Sequence, residues 1–392
     1  MKSKLQLGVI GSVGVPGKYG GFETLAHQLV LHLGEKYDIT VYCSKPAYGQ
    51  NERRKRWQQA RLVYLPLRAR GIQRIAYVML SIFHALLRSD VLLLLGVTGA
   101  LLLPLIKFFS SKKIIVNIDG LPWKRSRNPL RRMYLKWAER IAVKWADEVI
   151  ADNQKIYDYV QQEYSREATI ITYGGNHVSR RQSTVADREQ YPFLKERYAV
   201  KVCRIEPENN IELILSTFAR YPRFSLVIIG NWQEKKYGRD LRHRYKAYRH
   251  IHLLDPIYDP ATLDILRSNA LFYLHGHSAG GTNPSLVEAM SLGLPVLAFD
   301  VDFNRETTEN GAKYFRNQPQ LITLLEAASP EKLAKTGQLL LEIARRRYTW
   351  QNISLQYDIL IREGVAPAMA PQEQAQEAYR SPVPMSASHG KS

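Results

Sequence analysis

The chain has 392 residues, of which 45% are hydrophobic and 23% are charged, so it is long enough for two globular domains with full cores. Its two cysteines, Cys43 and Cys203, are far apart and lack metal-ligand spacing, which excludes a disulfide framework and argues against a zinc site. The first residues pass directly into a strand-like run without a signal-peptide pattern. We therefore expect an unprocessed protein of the reducing cytosol.

Short apolar runs alternate with amphipathic stretches through the first half of the chain. This alternation predicts a doubly wound α/β domain over residues 1–177, because parallel strands covered by helices are continuously apolar. The apolar stretch 91–106 is short for a membrane span, and Gly96 and Pro104 divide it into a buried strand and a helix. The predicted strands are residues 7–10, 39–43, 62–65, 91–95, 114–118, 149–151 and 169–171.

A glycine-rich loop follows the first predicted strand. Gly20 and Gly21 let backbone amides approach an anion closely, and Lys18 adds a positive charge. Apolar residues at helical spacing follow, from Phe22 to Leu33. The loop therefore leads into a helix N-terminus, where a phosphate can bind.

Asp119 comes directly after the strand 114–118, at the end that faces the expected cleft. A carboxylate there can orient or deprotonate a hydroxyl group if its pKa and reach allow. Capping of the strand end is the structural alternative. Lys124 and Arg125 follow in the same loop.

A polar segment with little periodicity, residues 178–197, predicts the passage to a second α/β domain over residues 198–349. We expect helices after Asn209, Asp259 and Asn283, a last helix over residues 350–364, and a disordered tail over residues 365–392. The predicted strands of the second domain are residues 199–203, 225–229, 251–253, 271–274, 295–299 and 313–315.

The most informative stretch, residues 275–300, joins a strand, a glycine loop, a capped helix and another strand. Asn283 is a good N-cap before a proline at the first helical position, so the amides of Gly281 and Thr282 can converge on an anion. Glu288 lies one turn into the helix, where it can accept hydrogen bonds from a ribose or sugar diol. Together these features predict a site for a nucleotide-diphosphate sugar. An ordinary βαβ unit with a solvated glutamate is the alternative.

Other polar side chains follow strands of the second domain. Arg204, His275 and His277 can contact a phosphate or sugar there, although a surface arginine and a structural histidine pair are the simpler interpretations. Asp300 and Asp302 imitate a metal-binding Asp-x-Asp motif. We expect no metal, because amides and cations already serve the phosphates.

The run from His275 to Met290, which reads HGHSAGGTNPSLVEAM, resembles the donor site of family-4 retaining glycosyltransferases of the GT-B fold. Its form is similar to that of the bacterial rhamnosyltransferases of surface polysaccharides. The resemblance extends over residues 5–362. Gly280 occupies the place of the first of two family glutamates, and Asn209 that of a lysine that grips the diphosphate; Lys18 or Arg305 is a candidate to compensate for the lost charge.

This resemblance implies two Rossmann-like doubly wound parallel-sheet domains that face a cleft. It implies a catalytic role for Asp119, His275 and His277, and an acceptor-side or sugar-side role for Tyr19, Lys124 and Arg125. The family also has a glutamate at the position of Glu23, but the resemblance assigns no contact to it. The implied donor-binding residues are Gly20, Gly21, Arg204, Gly281, Thr282, Asn283 and Glu288.

The function implied by the resemblance is metal-independent, retaining transfer of L-rhamnose from dTDP-rhamnose to a polyprenyl-diphosphate-linked saccharide in surface polysaccharide biosynthesis. No cofactor is expected beyond the nucleotide-sugar substrate. A UDP-hexose or GDP-hexose donor is one alternative, because no residue distinguishes the base or the sugar on physical grounds. A non-catalytic scaffold that binds nucleotide sugars is another, in view of the substitutions at Gly280 and Asn209.

A dehydrogenase or epimerase is the alternative from another class. Gly8, Gly11 and Gly14 match the glycine fingerprint of extended short-chain dehydrogenases, and Tyr191 and Lys195 have the catalytic spacing. The second strand, however, lacks a ribose-binding acid after it, and the second Rossmann-like half is unexplained.

The positive charge lies mainly in the first half, where residues 1–200 hold 32 Lys and Arg against 16 Asp and Glu, whereas residues 201–392 hold 23 against 20. Basic clusters lie close to aromatic residues, which suits an anionic membrane surface. Nucleic acid and a merely solvated basic face are the alternatives, and no nucleic-acid module is recognised. We therefore expect a cytoplasmic protein, peripheral at the inner face of the cell membrane, that binds no nucleic acid.

Overall fold

The computed structural model describes residues 4–17, 20–118, 120–125 and 128–363, with the side chain of Arg125 left out. Tyr19, Lys18, Asp119 and the predicted tail lie outside the described residues. What is described forms two α/β domains, each built on one sheet.

The first domain contains an eight-stranded sheet in the order β3-β4-β2-β1-β5-β6-β7-β8. All its strand pairs are parallel except β3 with β4. The short edge strand β3 was not predicted. The strands are β1 Gln6–Ile10, β2 Asp38–Ser44, β3 Arg56–Trp57, β4 Ala60–Leu65, β5 Val91–Leu95, β6 Lys113–Ile118, β7 Glu148–Ala151 and β8 Thr169–Ile170.

Helices cover both faces of this sheet, as two separate apolar clusters show. Helix α1 packs on one face, and α2, α3, α5 and α6 pack on the other. The helices are α1 Gly21–Leu33, α2 Gln73–Leu86, α3 Leu103–Phe109, α4 Pro122–Arg125, α5 Pro129–Trp145 and α6 Gln154–Tyr164.

The passage between the domains contains a short helix, α7 (Val185–Gln190), where no element was predicted. Thr184 caps it, because its hydroxyl accepts a hydrogen bond from the Asp187 amide while the Asp187 carboxylate accepts one from the Thr184 amide. This capping box is visible in the sequence as Thr184-x-x-Asp187.

The second domain contains a six-stranded, fully parallel sheet in the order β11-β10-β9-β12-β13-β14. Its strands are β9 Tyr198–Val202, β10 Ser225–Ile229, β11 Ile251–Leu254, β12 Phe272–His275, β13 Val296–Phe299 and β14 Lys313–Phe315. Its helices are α8 Ile211–Arg220, α9 Lys236–Tyr245, α10 Pro260–Ser268, α11 Pro284–Ser291, α12 Asp302–Thr307, α13 Gln318–Glu326 and α14 Pro330–Arg347, and α15 Trp350–Arg362 follows them. The predicted fold class, two doubly wound parallel-sheet domains, is confirmed.

The apolar stretch that resembled a short membrane span is part of the first core. Strand β5 is buried along its whole length between β1 and β6, and α3 follows it. Among the described residues, no helix combines the length and apolarity needed to cross a membrane.

Helix α15 follows the second domain in sequence but packs against α1 of the first. Asp358 accepts hydrogen bonds from Lys36 and from the Tyr37 hydroxyl, at 2.9 and 2.5 Å. Tyr357 accepts a 2.8 Å hydrogen bond from the Asn117 side-chain amide at the end of β6. The chain therefore crosses between the domains twice.

Candidate functional site

Strand order reverses in the middle of each sheet, and the candidate residues follow the strands at these two places. In the first sheet, β1 lies between β2 and β5 and leads into the first glycine loop. In the second, β9 lies between β10 and β12; Arg204 follows β9, and the second glycine loop follows β12. In open α/β sheets, such reversals create a crevice at the carboxyl ends of the strands, where ligands bind.

The two glycine loops meet where the domains face each other. A Cβ atom built on Gly21, the first residue of α1, would lie 3.4 Å from the Pro284 side chain at the start of α11. The Thr282 hydroxyl donates a 2.6 Å hydrogen bond to the carbonyl of Asp152, which follows β7. The N-termini of α1 and α11 thus converge on one interdomain region.

Glu23 fixes the conformation of the first glycine loop. Its carboxylate accepts a 2.7 Å hydrogen bond from the Val13 amide. Burial raises the pKa of Glu23, although the backbone hydrogen bond opposes this. Gly20 has a φ of 130°, and a side chain there would collide with the Glu23 carboxylate. Glu23, whose contact the sequence did not reveal, therefore holds the loop.

His27 holds the same loop from within α1. Its Nδ1 accepts a hydrogen bond from the Gly17 amide at 3.2 Å, and its ring packs against Trp57 with centroids 4.4 Å apart. Burial, with a smaller contribution from the charge of His177, lowers the pKa of His27 to about 4. His27 is therefore neutral at physiological pH, as an acceptor must be.

This pKa predicts a pH dependence of stability. Between about pH 4 and 6.5 the unfolded chain binds a proton at His27 that the folded chain does not, so the free energy of unfolding should rise with pH across that window. We expect His27→Gln to remove about 1–2 kcal/mol of this rise. Denaturant titrations at several pH values measure it. The exposed control His243→Gln should keep the wild-type slope, and an unchanged slope in His27→Gln would contradict the assignment.

Helix α11 begins as the sequence predicts. The Asn283 side chain accepts hydrogen bonds from the Ser285 amide at 3.0 Å and the Ser285 hydroxyl at 2.8 Å, and Pro284 is the first helical residue. The predicted N-cap is confirmed. Donor binding by Asn283 stays a prediction.

Gly280 has a structural reason to replace the family glutamate. Its φ is 139°, which L-residues rarely adopt, and a Cβ there would lie 2.9 Å from Nε2 of His277. A glutamate at this position would require a different loop. The loop conformation seen here therefore favours glycine at position 280.

Gly281 and Thr282, predicted to bind the donor, contact the first domain. A side chain on Gly281 would collide with the Asp152 carboxylate. Thr282 is buried, and its hydroxyl donates to the Asp152 carbonyl. The Thr282 hydroxyl is thus engaged in the domain contact. Donor binding through the backbone amides stays a prediction.

His275 and His277 are both buried, and their contact with the substrate stays a prediction. His277 Nδ1 lies 3.2 Å from Oδ1 of Asn209, and the His277 carbonyl accepts a hydrogen bond from Asn304 at 2.9 Å. Burial foremost, then the charge of Lys201, lowers the pKa of His275 well below its usual value. We therefore interpret the pair as supports of the loop.

Glu288 is buried and ion-paired. Oε2 is 2.5 Å from the Arg267 guanidinium, and Oε1 is 3.3 Å from Nε2 of His177. Burial acts to raise the pKa of Glu288, but Arg267 and His177 outweigh it and lower the pKa below its usual value. The carboxylate is therefore already engaged by two side chains, and its contact with a ribose or sugar diol stays a prediction. His177, the partner of Oε1, is partly exposed.

Arg204 is exposed at the carboxyl end of β9, as a phosphate-binding residue needs to be. Asn209, at the place of the family lysine, is buried and donates a 2.9 Å hydrogen bond to the Arg204 carbonyl. Asn209 therefore shapes the turn. The helix predicted after Asn209 begins at Ile211.

Arg305, the candidate for compensation of the missing lysine, is engaged elsewhere. Its guanidinium lies 2.5 Å from Asp300 and 4.2 Å from the centroid of the Tyr314 ring. Arg316 also pairs with Asp300, at 3.0 Å. Hydrogen bonding to Arg305, more than any other cause, lowers the pKa of Asp300. The structure thus removes the basis for compensation by Arg305, and Lys18 lies outside the described residues.

Both carboxylates of the Asp-x-Asp sequence form ion pairs with basic side chains of the protein. Asp300 pairs with two arginines, as above, and Asp302 lies 3.5 Å from Lys155 of the first domain. In the described ranges, no three His, Cys, Asp or Glu side chains are grouped to hold a metal ion.

The predicted acceptor side is described in part. Lys124 is exposed on α4, and its ammonium lies 5.4 Å from the ring centroids of Trp123 and Tyr159. The Trp123 ring nitrogen donates a 3.0 Å hydrogen bond to the buried Glu139 of α5. Tyr19, Asp119 and the side chain of Arg125 lie outside the described residues, so their roles stay predictions.

Comparison with known families gives the second domain its identity. Residues 184–351 match the family described as glycosyl transferases group 1. The second domain is a group 1 glycosyltransferase domain. Residues 4–176 match a family described as a domain of unknown function, DUF1972. No curated protein matches the chain.

Solved glycosyltransferase structures share the fold of both domains. Sucrose-phosphate synthase from Thermosynechococcus elongatus is 16% identical, with a TM-score of 0.77, and covers 92% of this chain and 99% of its own. Anabaena Alr3699/HepE in complex with UDP-glucose is 15% identical, with a TM-score of 0.69 and coverages of 92% and 99%. A glycosyltransferase from Rickettsia africae is 11% identical, with a TM-score of 0.67 and coverages of 92% and 98%. The chain therefore has the GT-B architecture.

Three residues of the candidate site were not predicted from the sequence. Arg267 and His177 pair with Glu288, and Asp152 contacts the second glycine loop. Each comes from an element distant in sequence. Arg267 and Asp264 are charged residues that are buried on α10, which the sequence of that short helix did not reveal.

Proposed function

We propose that this group 1 glycosyltransferase moves L-rhamnose from dTDP-rhamnose to a polyprenyl-diphosphate-linked saccharide in surface polysaccharide biosynthesis. The observation that carries the proposal is the convergence of the α1 and α11 N-termini, together with an exposed Arg204 at the carboxyl end of the central strand β9. Helix N-termini and an arginine suit a diphosphate. The choice of rhamnose rests on the sequence of the second glycine loop.

In the proposed reaction, the bond from the anomeric carbon to the nucleotide diphosphate breaks, and a bond to the acceptor hydroxyl oxygen forms. Arg204 and the amides near Gly20, Gly21 and Gly281 would stabilise the charge that develops on the leaving diphosphate. The leaving phosphate would take the acceptor proton, with Asp119 in an orienting role. We propose that transfer retains the anomeric configuration and needs no metal ion.

The acceptor side of the proposal rests on the loop that carries α4. Lys124 is exposed there, and Arg125 and Tyr19 are predicted to lie nearby. Cations at this position suit the diphosphate of a lipid-linked saccharide. A lipid-linked acceptor also places the enzyme in the cytoplasm, peripheral at the inner face of the cell membrane.

A UDP-sugar donor is the second candidate. The similar Anabaena HepE has been solved in complex with UDP and with UDP-glucose. Tyr191 and Lys195 are the residues behind the dehydrogenase alternative. Tyr191 precedes a 3₁₀ turn and Lys195 ends it, so the two do not share an α-helix and that alternative loses its basis.

Thermal unfolding in the presence of dTDP, UDP, GDP, ADP or NADPH tests the donor class. A ligand that binds only the folded protein adds about 2.7 kcal/mol at 100 times its Kd. We expect the largest rise in Tm with dTDP. A rise only with UDP would replace rhamnose by the second candidate, and a rise only with NADPH would contradict a glycosyltransferase.

A further inference from the structure

One layer of helices in the first domain has two very different sides. Helices α2, α3 and α5 lie on the same face of the sheet, and their inner residues form one apolar cluster with it. The layer is continuous: a Cβ on Gly99 would contact Val78 and Ile82 of α2, and the Tyr134 hydroxyl of α5 donates to the Thr98 carbonyl at 2.7 Å.

The outer side of α2 is apolar, although it is exposed. Ile72 and Leu87, at its two ends, are 87% and 86% exposed. Leu80 and Phe83 lie between them and are 46% and 55% exposed. These four positions follow the helical spacing and share one face with the exposed Ala76. The stripe therefore runs the length of α2 and covers no other described part of the chain.

Helices α3 and α5 extend this apolar surface. Phe108 and Phe109, at the end of α3, are 82% and 78% exposed. Leu130, Met133 and Trp137 form a second exposed stripe on α5. Of the eighteen large hydrophobic side chains exposed among the described residues, eleven lie between residues 72 and 145. An apolar surface concentrated in this way marks an interaction site.

The charges around this surface are mainly positive. Residues 68–145 contain fifteen Lys and Arg but three Asp and Glu. Of these acids, Glu139 is buried and Asp90 lies 3.6 Å from Lys112; Asp119 lies outside the described residues. Arg131, Arg132, Arg140 and Lys144 are exposed on α5 beside its apolar stripe. The partner must therefore offer both apolar contact and negative charge.

We propose that the outer face of α2, α3 and α5, here called the platform, inserts its apolar side chains into an anionic lipid surface. Apolar burial and attraction to anionic headgroups act together in such binding. A second copy would place like charges against each other, and nucleic acid would leave the apolar stripes exposed. The biological role of the platform rests on the proposed function, because a lipid-linked acceptor would lie in the same lipid surface.

The platform also borders the predicted acceptor side. Helix α4, which carries Lys124, packs against α5, and the hydrogen bond from Trp123 to Glu139 joins the two helices. Docking through α5 therefore brings α4 close to the headgroups. An acceptor with its lipid in the membrane could reach the interdomain region without complete extraction.

Co-sedimentation with lipid vesicles tests the platform. We expect the full chain to bind phosphatidylcholine vesicles that contain phosphatidylglycerol and to be released by high salt. The combined substitution Leu80→Ser, Phe83→Ser and Phe108→Ser should lower the partition coefficient at least about tenfold, because three apolar side chains no longer insert. Arg131→Glu with Arg140→Glu should weaken binding only to the anionic vesicles.

The matched control is Leu339→Ser with Leu355→Ser, two side chains outside the platform that are 46% and 50% exposed. This control should bind vesicles as the wild type does. Wild-type protein that stays in the supernatant, or platform variants that bind unchanged, would overturn the proposal. So would size-exclusion chromatography showing a dimer that the platform substitutions dissociate.

Nucleotide-induced shifts in Tm separate this proposal from the proposed function. Platform variants should retain the wild-type shift with the nucleotide, because the substituted residues lie away from the glycine loops. Loss of vesicle binding with a normal nucleotide shift supports the platform. Vesicle binding without any nucleotide shift contradicts the donor site and leaves the platform intact.

Discussion

Replacing Arg267 by methionine should lower the free energy of unfolding by about 3–5 kcal/mol, because it leaves the buried carboxylate of Glu288 without its strongest partner. Arg267 and Glu288 are both buried, with 2.5 Å between the guanidinium and the carboxylate. Denaturant titration near neutral pH measures the loss. The control Arg305→Met removes a more exposed pair with Asp300, which retains Arg316, and should cost about 0–1 kcal/mol.

The pH dependence of the same variant gives a sharper test. In the wild type the folded pKa of Glu288 is lowered, so its contribution is complete above the ordinary value of 4.5 and is lost as pH falls through the folded pKa. Without Arg267, burial should raise that pKa instead. The contribution of Glu288 would then be lost as pH rises above 4.5.

A double substitution separates the ion pair from packing. Arg267→Met combined with Glu288→Gln leaves no buried charge, so we expect it to be more stable at neutral pH than Arg267→Met alone. A double variant no more stable than the single one would show that lost packing, and not the unpaired carboxylate, causes the destabilisation.

Replacing Arg204 by alanine should lower kcat/KM by about 100-fold, because under the proposed function it removes a cation that stabilises the leaving diphosphate. The surroundings make this loss severe. Glu206 and Glu208 lie two and four residues further on, and Glu206 pairs with Lys235 at 2.7 Å. Burial, then hydrogen bonding to Glu206, raises the pKa of Glu208, and the charge of Arg204 opposes that rise.

Transfer assays and the nucleotide-induced shift in Tm measure the effect of Arg204→Ala. Arg204→Lys should recover part of the activity, since it restores charge without the planar fork of the guanidinium. The control Arg244→Ala removes an exposed arginine of α9 that pairs with Glu212. Wild-type turnover and nucleotide affinity in Arg204→Ala would exclude the proposed role.

The architecture was readable from the sequence because most strands are buried on both faces. Residues 91–95 and 226–229 are continuously apolar, and the strands predicted over residues 91–95 and 225–229 have the same bounds in the structure. The edge strand Arg56–Trp57 lacks such a run because it is two residues long, pairs with one strand and has an exposed Arg56. The α7 helix was missed although its capping box, Thr184 and Asp187, is local.

The site was predicted less completely because its contacts come from elements distant in sequence. Asn283 and Pro284 were correctly placed at a helix start, since capping is a local interaction. The burial of His275 and the pairing of Glu288 with Arg267 depend on how α10, α11 and β12 pack together. A motif identifies which residues gather at a strand end; it does not reveal which of them face the solvent.

The return of α15 to the first domain has a consequence for synthesis on the ribosome. Tyr357 and Asp358 complete contacts with Asn117, Lys36 and Tyr37, so the first domain lacks part of its own surface until those last residues emerge. The apolar side of α1 that α15 covers stays open to water, or to chaperones, while the second domain is translated. A nascent chain stalled before Trp350 should therefore hold the first domain in an unfinished, protease-sensitive form.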